Sequence, residues 1–521
     1  MNMLAEKASR LQLVASQARD VSRSEWLWSA PALLAGAYVV LTPLLSMLIP
    51  WTWVGGIYDT KRLLEIGLLL VGAFCAAGVP LARASWLATF RALPAATRWG
   101  LGAVGVLGIA SALVAPVPRY GLLEVSHLAL LFSLGLVVAS VCRAFPRRYV
   151  QGLLAVMGAG AGLYVVFVFA LGYVQHVTDT LGAQLWPGGK IGYSNRRFFN
   201  HVQAWALPLL VALALVPSLR CVKGMRAGVF VVASCWWMLL FASNGSGILL
   251  SMIVALVGVA LVFRKTAWPW VRWQLAAGAA GGVLYGLLFH VIATDSSSLA
   301  KRAASKASKL ETKDELGRLI NWRHAIEGLM QEPWLGLGPM HTAYYPNQLW
   351  RTTHNAVIQF FVEWGVVAGA LLLGLALWGL WAWCSQSRRR VDEGTSANGA
   401  PVGEEPLLEV ARIALTGSLL AAGANTMVSG VIVTPASQVM MVLVLGGALG
   451  LHLPRHAPSA SVSISGAQWA LVAFLMVGAG VLAWAAAPDA FSLSERVAAW
   501  IFKEDTLWLQ PRYWGQGAFG L

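Results

Sequence analysis

The stretch that decides the fold class is 356-AVIQFFVEWGVVAGALLLGLALWGLWAWC-384, in which Glu363 is the single acidic or basic residue. At 1.5 Å per residue, a helix of this length crosses the roughly 30 Å of hydrocarbon in a bilayer. Similar runs recur along the chain. Of its 521 residues, 58% are hydrophobic and 12% are charged, and the mean hydropathy is +0.65. The sequence therefore predicts an all-α polytopic membrane protein.

Thirteen apolar runs are long enough to cross a membrane, which predicts about 12–13 transmembrane helices. They fall at residues 27–50, 63–82, 99–117, 121–142, 150–173, 201–219, 227–243, 247–263, 273–293, 356–384, 407–429, 432–453 and 467–487.

Basic residues in the short connectors predict the orientation of these spans. They cluster at residues 83–98, 143–148, 220–226, 264–272 and 388–390. Because Lys and Arg are retained in cytoplasmic connectors, these five connectors are predicted to be cytoplasmic. The formal net charge of +15 is then explained largely by topology, and it does not indicate nucleic acid as a partner.

The same pattern divides the chain into five parts. We predict a cytoplasmic amphipathic N-terminus (1–26), a first set of spans (27–293), one large external loop (294–355), a second set of spans (356–487) and a C-terminal tail (488–521). The odd number of spans places that tail outside with the loop. The five cysteines lie in apolar spans or basic connectors, so no disulfide framework is predicted.

The loop 294–355 has an ordinary soluble composition and carries positive charge on the external side. Apolar residues recur in it at helical spacing, which predicts an amphipathic helix over 316–331 that ends before Pro333. Arg318 and Arg323 flank its apolar stripe. The helix could lie on the membrane face with both guanidinium groups at headgroup level, and contact with membrane lipids is the alternative role for both.

The run Thr352-Thr353-His354-Asn355 leads into the span that starts near Ala356. A helix N-terminus disfavours imidazolium, so His354 should remain neutral and able to accept a proton. The alternative is an interfacial or capping histidine. Glu363 follows on the same helix and needs a partner inside the bundle.

Arg196 and Arg197 stand at the mouth of another span, after the second-longest external segment (174–200). Arginine's fork of donors matches phosphate oxygens, so arginines at one membrane face could hold a diphosphate; anchoring to anionic lipid is the alternative. Asp59 lies beside Lys61 and Arg62 on a predicted external turn, where an ion pair is expected. No motif for a metal or a cofactor is present.

These motifs together resemble the signature of the O-antigen ligase and polymerase superfamily, which includes protein O-oligosaccharyltransferases. The matching elements are Gly317-Arg318-Leu319 to Trp322, Gly336-Leu337-Gly338, His354-Asn355 to Glu363-Trp364-Gly365, and the basic run from Arg196 to His201. The resemblance implies a GT-C-like fold in the bacterial inner membrane, with the large loop and the active site in the periplasm.

The resemblance also implies a reaction: metal-independent, inverting glycosyl transfer from an undecaprenyl-diphosphate-linked glycan to an acceptor hydroxyl, without a cofactor. The acceptor would be lipid A core, another glycan chain or a protein, and ligation to lipid A core is favoured. Carried onto this chain, the family's roles make His354 the base, while Arg318 and one of Arg196 or Arg197 steady the diphosphate. The further candidates are Arg323 for the diphosphate and Asn200, His201, Asn355 and Glu363 as supporting residues.

Two other classes of function remain open. A transporter or flippase of anionic lipid-linked substrate would carry ionisable residues deep within several spans. The spans offer Glu65, Glu124, His127 and Glu363, all within two turns of an end. The second class is a purely structural membrane scaffold, which would not explain the clustered functional residues of the loop. The thirteenth span and the tail motif Pro511-Arg512-Tyr513-Trp514 depart from the usual twelve-span ligase pattern, which leaves the acceptor open.

Overall fold

The computed structural model describes residues 27–44, 57–170, 173, 192–193, 196–219, 223–292, 314–344, 353–395, 406–456, 465–492 and 513–514, with the backbone alone described at 168, 218, 290, 292, 314–318 and 393–395. Regular structure in these ranges is helical, with no strand. The predicted all-α membrane fold is therefore confirmed.

The main helices follow one another along the chain with short connections where both ends are described. They are α1 (Leu27–Leu44), α2 (Ile57–Gly78), α3 (Pro80–Arg91), α4 (Ala95–Val114), α5 (Pro118–Ala144), α6 (Pro146–Leu163), α7 (Arg196–Ala212), α8 (Met225–Ala242), α9 (Ser246–Phe263), α10 (Trp268–Gly286), α11 (Asp314–Gln331), α12 (Ala356–Thr395), α13 (Pro406–Thr426), α14 (Pro435–His452) and α15 (Gly466–Phe491).

Proline marks the first turn of several of these helices. Pro80, Pro118, Pro146 and Pro435 each stand at one of the first two positions of α3, α5, α6 and α14. Proline suits this position because its φ is already helical and because a first-turn N–H has no partner within the helix. These four prolines therefore fix where a span begins after a tight connection.

The number of spans agrees with the prediction once two irregular helices are considered. Eleven helices in the described ranges are long and apolar enough to cross a membrane, and the pair α2 and α3, bent by 97°, makes a twelfth. One of the eleven, Ser246–Phe289, has 44 residues, or about 66 Å at 1.5 Å per residue. It contains α9, a turn at Arg264–Ala267 and α10, so it corresponds to two predicted spans.

Helix α7 lies at the centre of the bundle and is almost wholly enclosed. It packs against α6, α8, α13 and α14, while α5 packs against α4, α14 and α15 on one side. The buried side chains of α5–α8 and α13–α15 form one continuous hydrophobic core, whereas Val104 of α4 packs in a smaller cluster with Trp364 and Ala368 of α12. As a result, the N-terminal turn of α7, which begins with Arg196, is held between neighbouring helices.

Helix α12 is broken at Gly365, whose φ of 81° and ψ of 169° are not helical. The break leaves carbonyl groups of the preceding turn free to accept other donors. The Leu337 N–H donates to the Val362 carbonyl at 2.8 Å, and the Gly338 N–H donates to the Glu363 carbonyl at 3.0 Å. The loop after α11 thus pairs the backbone groups that the break exposes.

The same loop also closes the other side of the break. The Val366 N–H donates to the Pro333 carbonyl at 2.9 Å, and the Ser111 hydroxyl of α4 donates to the Leu335 carbonyl at 2.6 Å. We call this contact of residues 333–338 with the break the backbone interlock. It explains why the Gly-Leu-Gly and Glu-Trp-Gly elements of the sequence occur together.

We expect Gly365→Ala to lower the free energy of unfolding by more than about 2 kcal/mol, because its backbone conformation is essentially restricted to glycine. An added Cβ would also lie 2.0 Å from the Trp334 carbonyl oxygen. Thermal unfolding of the purified protein in detergent measures the effect. Gly374→Ala in the same helix is the matched control, since a Cβ there meets nothing within 4 Å. Equal unfolding temperatures for Gly365→Ala and Gly374→Ala would contradict the interlock.

Candidate active site around His354

His354 lies in a short backbone clamp between α11 and α12. The Trp322 indole N–H of α11 donates to the Thr353 carbonyl at 2.7 Å. The Thr353 hydroxyl then donates to the Asn355 carbonyl at 2.7 Å and accepts from the Asn355 N–H at 3.3 Å. These bonds on both sides fix the backbone of His354.

Asn355 caps the N-terminus of α12. Its side-chain oxygen accepts from the Ile358 N–H at 3.1 Å, and its carbonyl accepts from the Gln359 N–H at 2.9 Å, as expected for an N-cap residue. His354 therefore precedes the cap, and its φ of 52° is left-handed. A non-glycine residue held in that region often marks a functional site. The predicted position of His354 at a helix N-terminus is confirmed.

His201 is buried in the first turns of α7 and bonded at both ring nitrogens. Its Nδ1 lies 3.2 Å from the Thr434 hydroxyl, and its Nε2 lies 2.6 Å from the Ser429 hydroxyl. Both hydroxyls belong to the connection between α13 and α14, residues 427–434. This connection therefore sets the orientation of the His201 ring.

The structure brings three of the sequence-predicted residues together. His354 and Arg197 both lie within electrostatic range of the His201 imidazole. Arg197 is partly buried, whereas the neighbouring Arg196 is exposed. The N-terminal turns of α7 and α12 therefore place an arginine and two histidines within electrostatic range of one another's site.

The remaining predicted arginines are placed differently. Position 318 lies on α11 one turn before Trp322 and shares its face; its side chain lies outside the described residues. Arg323 is 81% exposed and pairs with Glu327 at 2.9 Å. Its assignment to a diphosphate stays a prediction, and the site proposed below does not use it.

Helix α11 confirms the predicted amphipathic helix and its end before Pro333. Leu319, Ile326 and Met330 are exposed, whereas Trp322 turns inward to bond Thr353. The exposed side chains give α11 an apolar outer face. The prediction that this face lies against the membrane fits the exposure but stays untested.

The two other supporting candidates are buried close to this region. Asn200, beside His201, packs against the turn before α9, where a Cβ on Gly245 would come within 2.4 Å of its amide nitrogen. The Glu363 carboxylate accepts from the hydroxyl of Thr342 at 2.5 Å and from its N–H at 3.3 Å. Glu363 thus has the partner inside the bundle that its sequence position required. The two bonds also hold Thr342, which follows the interlock residues 333–338, against α12.

The structure also contains a buried polar cluster that the sequence analysis did not assemble. We call it the Arg62 network; its side chains are Tyr58, Arg62, Glu65, His127 and Gln438. Arg62 donates to Glu65 Oε2 and Gln438 Oε1, each at 2.5 Å, and to the Tyr58 hydroxyl at 3.1 Å.

Asp59, Lys61 and Arg62 were predicted to lie on an external turn, which is wrong. They lie within the first two turns of α2 and are buried. The spacing of Arg62 and Glu65, three residues apart in a helix, puts both on one face and was the available signal. Lys61 donates to the Gly192 carbonyl and lies over the Tyr193 ring, 3.6 Å from its centroid.

The chain was compared with protein families and with curated proteins. Residues 229–373 match the family model described as O-antigen ligase. The resemblance to the O-antigen ligase and polymerase superfamily is therefore confirmed over this segment. The matched segment runs from α8 into α12 and includes α11, the interlock and His354, so the family match and the site geometry coincide. No curated protein matches the chain.

No three His, Cys, Asp or Glu side chains are grouped as metal ligands within the described ranges. The family's members are glycosyltransferase-like enzymes, and a family site of this kind must bring an acceptor hydroxyl, a base and a leaving group together. The described site contains an imidazole and a guanidinium, and their roles are taken up as a proposal. Metal independence and absence of a cofactor stay predictions for this chain.

We expect Asn355→Ala to lower the free energy of unfolding by about 1 kcal/mol, because the Ile358 N–H would lose its capping acceptor. Asn355→Ser keeps an accepting oxygen at this position and should retain most of that stability. Denaturant unfolding of both variants in detergent gives the difference. Two identical curves would show that the cap does not hold the start of α12.

Proposed function

We propose that this protein is an inner-membrane glycosyltransferase that moves a glycan from undecaprenyl diphosphate to an acceptor hydroxyl. The observation that carries the proposal is the meeting of His354, His201 and Arg197 at the N-termini of two helices. The family match over residues 229–373 supports the same reaction class. In this proposal the site faces the periplasm, where the positive charge of the loop 294–355 would be placed.

The proposed step is a single displacement at the anomeric carbon of the donor sugar. The acceptor oxygen forms the new C–O bond while its proton passes to His354, and the bond to the diphosphate oxygen breaks. The electron pair leaves with the diphosphate. Because attack and departure occur on opposite faces, the anomeric configuration inverts, as the family resemblance implies.

The charges of the site suit both the base that accepts the proton and the diphosphate that departs. The N-terminus of α12 disfavours imidazolium, so the His354 ring is ready to accept a proton. Arg197 and the two helix N-termini favour the negative charge that develops on the departing diphosphate. Arg318, on the Trp322 face of α11, is the second proposed arginine. The exposed position of Arg196 makes Arg197 the better candidate of that pair.

Lipid A core is the acceptor we propose first, which would make the protein an O-antigen ligase. Polymerisation onto another glycan and transfer to a protein hydroxyl use the same chemistry and remain the alternatives. To distinguish them, the purified protein is incubated with an undecaprenyl-diphosphate glycan and with lipid A core, free glycan or a pilin-type protein in separate reactions. The acceptor that gains the glycan identifies the branch.

The alternative from another class is a transporter or flippase. Its best support is the buried charge of α2 and α5, but the Arg62 guanidinium is bonded to several groups of the bundle. An arginine whose donors are already bonded to the protein is better suited to holding helices together than to binding a transported substrate. If no acceptor is modified while lipid-linked glycan changes leaflet in proteoliposomes, the transporter hypothesis replaces the enzyme.

We expect His354→Ala to reduce the transfer rate by about 100-fold or more, since general base catalysis contributes that much or more. The variant should insert into the membrane and accumulate at the wild-type level. His456→Ala, an exposed histidine after the end of α14, is the matched control and should transfer normally. Wild-type turnover by His354→Ala would exclude this histidine as the base.

We expect Arg197→Ala to lower kcat by about 100- to 1,000-fold, the usual effect of removing a charge-stabilising donor. The kcat of Arg197→Lys should lie between those of the wild type and Arg197→Ala, because lysine keeps the charge but not the planar fork of donors. Exposed Arg272 at the start of α10 provides the control variant Arg272→Ala, with unchanged kcat expected. A larger loss in Arg196→Ala than in Arg197→Ala would reverse the proposed assignment.

A further inference from the structure

The C-terminal tail contributes two residues to the interior of the bundle. Tyr513 is 3% exposed and Trp514 is 1% exposed. They belong to the Pro511-Arg512-Tyr513-Trp514 motif, which the proposed reaction does not use. Two adjacent aromatic side chains enclosed so completely bury a large apolar area and contribute strongly to docking of this segment.

Tyr513 docks onto the Arg62 network. Its carbonyl accepts from Arg62 Nε at 3.1 Å, and the Arg62 guanidinium lies over its ring at 4.4 Å. The Tyr513 hydroxyl lies 2.8 Å from Nδ1 of His127, and the two rings meet edge to face. Tyr513 therefore restricts Arg62 through backbone, ring and hydroxyl together.

Trp514 fastens the segment to α15. Its indole N–H donates to Asp489 Oδ2 at 3.0 Å, while Asp489 Oδ1 forms an ion pair with Arg119 of α5 at 2.9 Å. Asp489 is wholly buried, so its carboxylate depends on these donors. Trp514 thus joins the tail to two helices that do not carry the proposed catalytic residues.

Arg62 connects this segment to the connection 427–434. One guanidinium nitrogen donates to the Val433 carbonyl, which also accepts from the Tyr58 hydroxyl at 3.2 Å. The next residue, Thr434, holds Nδ1 of His201. A continuous series of bonds therefore runs from Tyr513 through Arg62 and Val433 to the proposed active site.

We propose that Tyr513 and Trp514 form an internal latch that positions Arg62 and, through it, the connection 427–434 that orients His201. These are positioning residues, since the contacts described for them are with Arg62, His127 and Asp489. Without the latch, Arg62 loses an acceptor and a ring face and holds Val433 less firmly. The inference of an effect on turnover rests on the proposed function, but the effect on residues 427–434 does not.

The test compares Trp514→Ala, Tyr513→Ala and a protein ending at residue 510 with the wild type in nanodiscs. Hydrogen–deuterium exchange is followed by mass spectrometry in peptides covering 427–434 and in peptides from α9. We expect exchange in 427–434 to rise by about 10-fold, the effect of weakening one or two hydrogen bonds, with α9 unchanged. Trp484→Ala, on an exposed part of α15, is the matched control and should leave both regions unchanged.

Glycosyl transfer is measured on the same samples with the acceptor that the separate reactions with lipid A core, free glycan and pilin-type protein identify. We expect kcat to fall by about 10-fold in Trp514→Ala with KM within about two-fold, as for a loss of positioning without loss of binding. Tyr513→Phe, which keeps the ring and the carbonyl, should retain more activity than Tyr513→Ala. A synthetic peptide of residues 506–521 should restore part of the rate to the truncated protein, and the same peptide with Tyr513→Ala and Trp514→Ala should not.

Unchanged exchange in 427–434 would overturn the latch. Exchange that rises equally in α9 would also overturn it, because the segment would then be a general stabiliser. A raised exchange in 427–434 with wild-type kcat would overturn the link to His201. Failure of the proposed function is separate: the wild type would then transfer no glycan, and the exchange measurement would still decide the latch.

Discussion

The backbone interlock at Gly365 is the constraint on which the proposed site depends. Within a bilayer, a backbone group without a partner costs several kcal/mol, so a span can break only where protein groups replace the lost bonds. The loop 333–338 supplies these groups to α12. Because this loop follows α11 directly, the interlock fixes α11 against α12, and Trp322 can then reach the Thr353 carbonyl. The position of His354, the residue after Thr353, follows from that contact.

The second constraint is electrostatic and comes from the direction of the helices. Helices α7 and α12 both begin at this site, so their N-terminal N–H groups and partial positive charges add to the charge of Arg197. Such an environment favours an anionic group and a neutral imidazole at the same time. This combination suits a reaction in which a diphosphate departs while a hydroxyl proton is accepted. In keeping with a neutral ring, the two nitrogens of His201 contact the hydroxyls of Ser429 and Thr434.

Much of the fold could be predicted from the sequence because lipid imposes simple rules on it. Runs of about 20 apolar residues with basic connectors have few structural solutions, and each predicted run corresponds to a described helix. The helix at 314–331 was predictable from its spacing and from Pro333. The motifs also pointed to His354 and to the pair Arg196 and Arg197, without choosing between the two arginines, because helix starts and clustered arginines can be recognised in the sequence itself. What could not be predicted were contacts between distant parts of the chain: the interlock joins residues 337 and 362, and Arg62 bonds to Val433 and Tyr513.

Burial of charge was the point at which sequence reasoning failed most clearly. Asp59, Lys61 and Arg62 looked like surface residues because they precede the apolar part of a span, yet the structure buries all three. A buried guanidinium is tolerated only when its donors are used, and the acceptors for Arg62 come from α2, α14, the connection 427–434 and the tail. Only the folded chain shows that these four elements meet. The same reasoning gives the tail a role that span counting could not. Tyr513 completes the shell of Arg62, which is bonded to the Val433 carbonyl, next to the Thr434 that contacts the His201 ring. An extra segment of this kind can therefore change how firmly a shared reaction site is held without supplying any of its reacting groups.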